Sequence, residues 1–125
     1  MISAAIYLMM LAPNLQTNQT ISEHIYGSFE QMPGDLMEIT YYYENGAVRQ
    51  TGFIKDELLT GTWITYDEKG NLTAKAYYEE GKKTGTWKVY DATGNLVYKI
   101  TYKNGIKKAV RIFDESGADI NMAMK

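Results

Sequence analysis

The 125-residue chain contains no cysteine, which removes disulfides, thiolate metal sites and a cysteine nucleophile together. Its single histidine, His24, is too little for a His-rich metal site or a His-based catalytic triad within the chain. In such a mixed stretch it reads as a surface or hydrogen-bonding residue. Proline is scarce: two, against eleven tyrosines and eleven glycines. That balance favours strands joined by tight turns over a helical bundle. Apolar runs are short as well. Residues 2–12 (ISAAIYLMMLA) form an uncharged run of eleven, well below the roughly 20 needed to span a bilayer. The length suits one domain, and 45% hydrophobic residues argue against disorder throughout.

The short apolar run has the length of the central region of a secretory signal, and polar residues follow it (Asn14, Gln16, Thr17, Asn18). We read residues 1–17 as an export signal or apolar leader, with a core helix or strand as the alternative, and expect an exported protein. Residues 18–35, punctuated by Gly27, Pro33 and Gly34, read as an irregular linker or N-terminal cap.

Net charge is −2, but it is unevenly spread. Five acidic residues and no Lys or Arg precede Arg49. Residues 82–111 carry eight cations (Lys82, Lys83, Lys88, Lys99, Lys103, Lys107, Lys108, Arg111) against Asp91 alone. Such a patch can attract an anionic membrane surface or another polyanion, while solvated turn tips and guarded strand edges are the ordinary use of lysine. Nucleic acid is not favoured as a partner.

A repeat organises the rest. Gly61 and Trp63 recur 24 residues later as Gly85 and Trp87. Tyr66-Asp67 returns as Tyr90-Asp91, Gly70-Asn71-Leu72 as Gly94-Asn95-Leu96, and Gly81 as Gly105. Each unit reads as two short strands, with Glu68-Lys69-Gly70 and its counterparts closing three-residue hairpins. The expectation is an all-β, single-sheet antiparallel meander of about seven strands over residues 36–120, with 121–125 as a C-terminal tail.

Pairing Asp67 with Asn71 sets a simple register. Tyr66 then faces Leu72, Ile64 faces Ala74, and Trp63 and Trp87 lie opposite Lys75 and Lys99. One side would carry Tyr42, Val48, Ile54, Ala76, Tyr78, Tyr90, Leu96, Tyr98, Ile100 and Tyr102. The other would carry an aromatic ladder (Phe53, Trp63, Tyr77, Trp87) with basic and hydroxyl residues between its rungs, a candidate binding surface. Something must cover at least one side: the N-terminal segment, a second copy or a partner.

These units, Gly61-x-Trp63 to Gly81 and Gly85-x-Trp87 to Gly105, resemble MORN-repeat variants, and more narrowly the YwqK-family antitoxin-like proteins, a Bacteroidota-type group that is often exported. The resemblance covers about residues 36–120, with Met37, Glu57 and Arg111 departing from it in the flanking units, as capping repeats do. It implies a scaffold for protein or membrane contact, and an antitoxin-like role.

Catalytic patterns are missing. Gly81-Lys-Lys-Thr-Gly85 lacks the first glycine and the following helix of a phosphate loop, so it reads as a turn. The four serines stand outside any GxSxG frame. Acidic pairs (Asp56-Glu57, Asp67-Glu68, Glu79-Glu80, Asp114-Glu115) fall beside turns, where carboxylates are commonly solvated. The expectation is therefore not an enzyme: a repeat module without cofactor or metal that binds a protein partner through a sheet face, oligomeric state open.

Overall fold

The computed structural model describes residues 26–120. The leader, His24 and the C-terminal tail lie outside them. Among the described residues nine strands form one open antiparallel sheet: β1 (Tyr26–Gln31), β2 (Leu36–Tyr42), β3 (Val48–Lys55), β4 (Leu58–Tyr66), β5 (Leu72–Glu79), β6 (Lys82–Lys83), β7 (Gly85–Tyr90), β8 (Leu96–Lys103) and β9 (Ile106–Ile112). They pair in chain order, except that the two-residue β6 pairs only with β5 and β7 follows β5 in the sheet. The expected meander is present, with two more strands than the repeat suggested. One is β6. The other is β1, drawn from the stretch read as irregular. It pairs along its length with β2, and Gly27 lets the Tyr41 ring lie close: a Cβ there would stand 3.2 Å from it.

The long hairpins close as the sequence suggests. Asp67 N–H donates to the Asn71 carbonyl (2.8 Å), Gly70 N–H donates to the Asp67 carbonyl (3.0 Å), and Gly70 takes a φ of 89°. The aspartate at the start of the loop contributes more than solubility. Oδ1 of Asp67 accepts from the N–H groups of Lys69 and Asn71, and Asp91 and Asp114 repeat the arrangement. The acidic residues at these turns are thus side-chain fasteners of the hairpins.

Hydrogen bonding to the ionised form, chiefly from Asn71, Thr93 and Ser116 respectively, holds all three carboxyls below the ordinary 3.8. The unfolded chain therefore takes up these protons at higher pH than the folded one. Their contribution is complete above about pH 4 and is lost as pH falls through the folded values. Burial acts oppositely on Tyr78 and Tyr102, pushing both phenols above their usual 10. The folded state keeps protons that the unfolded chain releases, so stability declines again above about pH 10. Melting temperature followed across pH should show a plateau between these limits. A curve flat below pH 4 would contradict the fastening role.

Beyond each hairpin the register departs from the simple expectation. Tyr66 does face Leu72, but a bulge follows, and Thr65 pairs with Ala74, Ile64 with Lys75 and Trp63 with Ala76. The same shift recurs where Tyr90 faces Leu96 and Trp87 pairs with Ile100, and where Tyr42 faces Val48 and Tyr41 pairs with Gln50. One extra residue in the return strand moves all subsequent side chains to the other face. Trp63 and Trp87 therefore lie opposite Ala76 and Ile100, not Lys75 and Lys99.

The bulges sort the residues into two faces. The tryptophan face holds the core: Ile39, Tyr41, Ile54, Leu59, Trp63, Ala76, Tyr78 and Trp87 are buried, with Ile100 and Tyr102 packed against them. Ring contacts run across it from Trp63 to Tyr78 (6.5 Å between centroids), Trp87 (5.3 Å) and Tyr102 (4.8 Å). Each indole N–H donates to a carbonyl ten residues earlier: Trp63 to Phe53 and Trp87 to Tyr77, both at 3.1 Å.

Candidate functional site: the lysine face

On the opposite face, one line of cross-strand pairs runs Thr40, Thr51, Ile64, Lys75, Lys88, Lys99, Arg111 across seven adjacent strands. Its last four members are cations on neighbouring strands, about 5 Å apart at the backbone. Like charges directly opposite one another destabilise a sheet. Arg111 has Asp119 3.6 Å away, and the Lys99 ammonium sits 6.0 Å from the Phe113 ring centre. Among the described residues no carboxylate lies within ion-pair distance of Lys75, Lys88 or Lys99.

On one side of this row stand hydroxyls, Thr86 and Thr101, whose oxygens are 3.4 Å apart. On the other side lies a half-buried apolar band: Tyr42, Val48, Tyr66, Leu72, Tyr90 and Leu96. Between them, near β3, is a shallow depression of about 420 Å³ lined by Thr40, Val48, Thr51, Tyr66 and Gly70. The surface offers positive charge beside apolar and hydroxyl contact, with no grouping of acids and imidazole suited to holding a metal among the described residues.

The residues singled out from sequence are distributed unequally. Of the aromatic ladder, Trp63 is fully buried and Trp87 is 9% exposed, both on the tryptophan face. Phe53 and Tyr77 fall on the lysine side by register, lying over the side-chain-free positions Gly61 and Gly85, although Tyr77 also packs against the core cluster. The bulges divide what a plain register would align, so these four rings do not form one surface.

The eight cations divide similarly. Lys88, Lys99 and Arg111 join the row. Lys83 belongs to the tryptophan face, its ammonium 5.1 Å from the Trp87 ring and 5.2 Å from that of Tyr102. Lys82, Lys103, Lys107 and Lys108 gather at one end of the sheet around β6 and the β8–β9 turn. Lys75 is the member that a charge count over residues 82–111 missed. Stepping by 24 exposes it: Thr51, Lys75 and Lys99 occupy one repeat position, and Thr40, Ile64 and Lys88 another.

Two stretches, residues 59–80 and 83–104, match the model of the MORN repeat variant. They coincide with β4–β5 and β6–β8, the units in which the 24-residue pattern is cleanest. MORN repeats are modules that commonly mediate protein or membrane-lipid contact. No curated protein and no solved structure matches the chain.

Proposed function

We propose that this chain is a non-catalytic, exported binding module that engages a protein partner through its lysine face. One observation carries the reading. At equivalent repeat positions the fold accepts Thr40, Thr51 and Ile64, yet in the C-terminal half it places Lys75, Lys88 and Lys99 side by side. Folding does not require those cations, and their mutual repulsion opposes it. An acidic, partly apolar protein surface would offset the repulsion and cover the adjoining band. Should the partner be a toxin, the same contact would make the chain an antitoxin-like neutraliser, the narrower role that the repeat resemblance implies.

A second reading has its own observation. Ile106 is 59% exposed at the β8–β9 turn, with Lys103, Lys107 and Lys108 around it. An apolar tip ringed by lysines suits an anionic membrane surface.

Cross-linked capture from source cells, with tagged full-length chain and its Lys88→Glu/Lys99→Glu variant, separates the two. The parent should hold a stoichiometric protein that the equally folded variant loses by roughly tenfold or more. Equal capture by both would overturn the lysine-face reading. Pelleting with phosphatidylserine vesicles that is lost in Lys107→Glu/Lys108→Glu, and untouched by the face variant, would transfer the function to the membrane.

A further inference from the structure

The lysine face is charged at both ends, with opposite sign. Its C-terminal end carries Lys75, Lys88, Lys99 and Arg111. At its N-terminal end, Glu30 of β1 and Glu38 of β2 form a cross-strand pair on that same face, again like charges directly opposed. Lys55 stands diagonally from Glu38, beyond the Glu38–Phe53 pair, and is outside ion-pair distance of it. Alongside the cation row, reaching under both ends, runs the apolar band, one residue from each of β2, β3, β4, β5, β7 and β8, centred on the Tyr66–Leu72 pair. A surface that is acidic at one end, basic at the other and apolar along one side complements its own reverse about an axis parallel to the strands.

We infer that two copies of this chain pack lysine face to lysine face, around a two-fold axis running parallel to the strands through the β4–β5 hairpin. This rests on the reading that the lysine face binds protein, and names the partner as a second copy. The axis reverses strand order. Glu38 of one copy then lies over Lys99 of the other, and Glu30 over Arg111, and each pairing occurs twice, as an isologous interface demands. The acids are displaced from the cation row by two residues along the strands, about 7 Å, a gap that lysine and arginine side chains span. Tyr66 meets Leu72 at the centre. Tyr90 of β7 reaches the depression beside β3, lined by Thr40, Val48, Thr51 and Tyr66.

Size is consistent with a stable pair. Eight sheet positions and about six residues of strand length give a face of about 700 Å² in projection, close to the roughly 800 Å² per partner of a standard interface. Two sheets stacked at about 10 Å form an ordinary β-sandwich. The chain's own N-terminal segment is a poorer cover for this surface, since Glu23 is the one acidic residue before Tyr26.

Sedimentation equilibrium of the full-length chain tests the inference. A dimer is expected, weakening as salt rises. Glu30→Lys/Glu38→Lys turns the acidic end of the face basic, and Lys99→Glu/Arg111→Glu turns its outer basic end acidic. Each alone should raise the dimer dissociation constant by at least about tenfold. Mixed together, the two variants should recover a heterodimer, a result that a merely misfolded variant cannot give. A chain that stays monomeric at every concentration overturns the inference, as does a dimer indifferent to both reversals. If the chain is monomeric and a different protein is still captured in a Lys88- and Lys99-dependent way, the binding face stands and only the identity of its partner falls.

Discussion

Gly52→Ala is expected to be among the most damaging single substitutions in this chain, although it adds only one methyl group. Gly52 lies in the buried run of β3 between Gln50 and Ile54. The Trp63 ring rests directly on its backbone: a Cβ at position 52 would stand 2.0 to 2.3 Å from three ring carbons. Neither side has room to yield. The indole is fully buried and its N–H is tied to the Phe53 carbonyl, one residue from the clash. Overpacking of this kind costs about 3 kcal/mol or more, which lowers the melting temperature of a domain of this size by roughly 12–24 °C. The next unit carries Ala76 at the equivalent position, and there the Trp87 indole is seated differently, with its N–H also directed to the Thr84 carbonyl. The clash thus belongs to Trp63 in particular. In Gly52→Ala/Trp63→Leu the smaller side chain relieves it, so the double variant should be more stable than the sum of the single losses. Urea unfolding of the four species measures this. Strict additivity would mean that the ring does not sit where the geometry places it.

How far the fold can be read in advance follows from which interactions are local. The hairpins were legible because their instructions occupy a few consecutive residues: Asp67 as fastener, Gly70 in the left-handed region, Asn71 as partner. The 24-residue period supplied the strand order. The bulges were not legible, because no local residue type marks Thr73 as unpaired. The extra residue is selected by what it achieves three residues later, bringing Ala76 and Tyr78 onto the side of Trp63. That single displacement separates the aromatic ladder and assembles the lysine row. Lys75 could have been found by superposing repeats, since Thr51 and Lys99 share its position, but its alignment with Lys88 depends on the two-residue offset between the β5–β6 and β5–β7 pairings. Of the candidate site, then, the residue types were readable and their grouping was not.

Replacing Trp63 itself separates a structural role for the tryptophans from a recognition role. Trp63→Ala removes the largest fully buried side chain among the described residues, and a loss of about 3–5 kcal/mol is expected for such a truncation. Against a total of about 5–15 kcal/mol for a small domain, that leaves the chain partly unfolded at 37 °C. Trp63→Phe keeps a ring beneath Tyr78 but leaves the Phe53 carbonyl without the indole donor, a loss of about 1–3 kcal/mol. Trp87→Phe should be comparable, since its N–H serves the carbonyls of Tyr77 and Thr84, and the Lys83 ammonium would retain Tyr102. In the capture assay, Trp63→Phe should then hold its partner as well as the parent does once both are folded. Recognition on the opposite face needs the sheet to be formed and does not need the indole. A Trp63→Phe chain with unchanged stability and lost binding would reverse the assignment, making the tryptophan face the recognition surface and the lysine row a solvated by-product of the repeat.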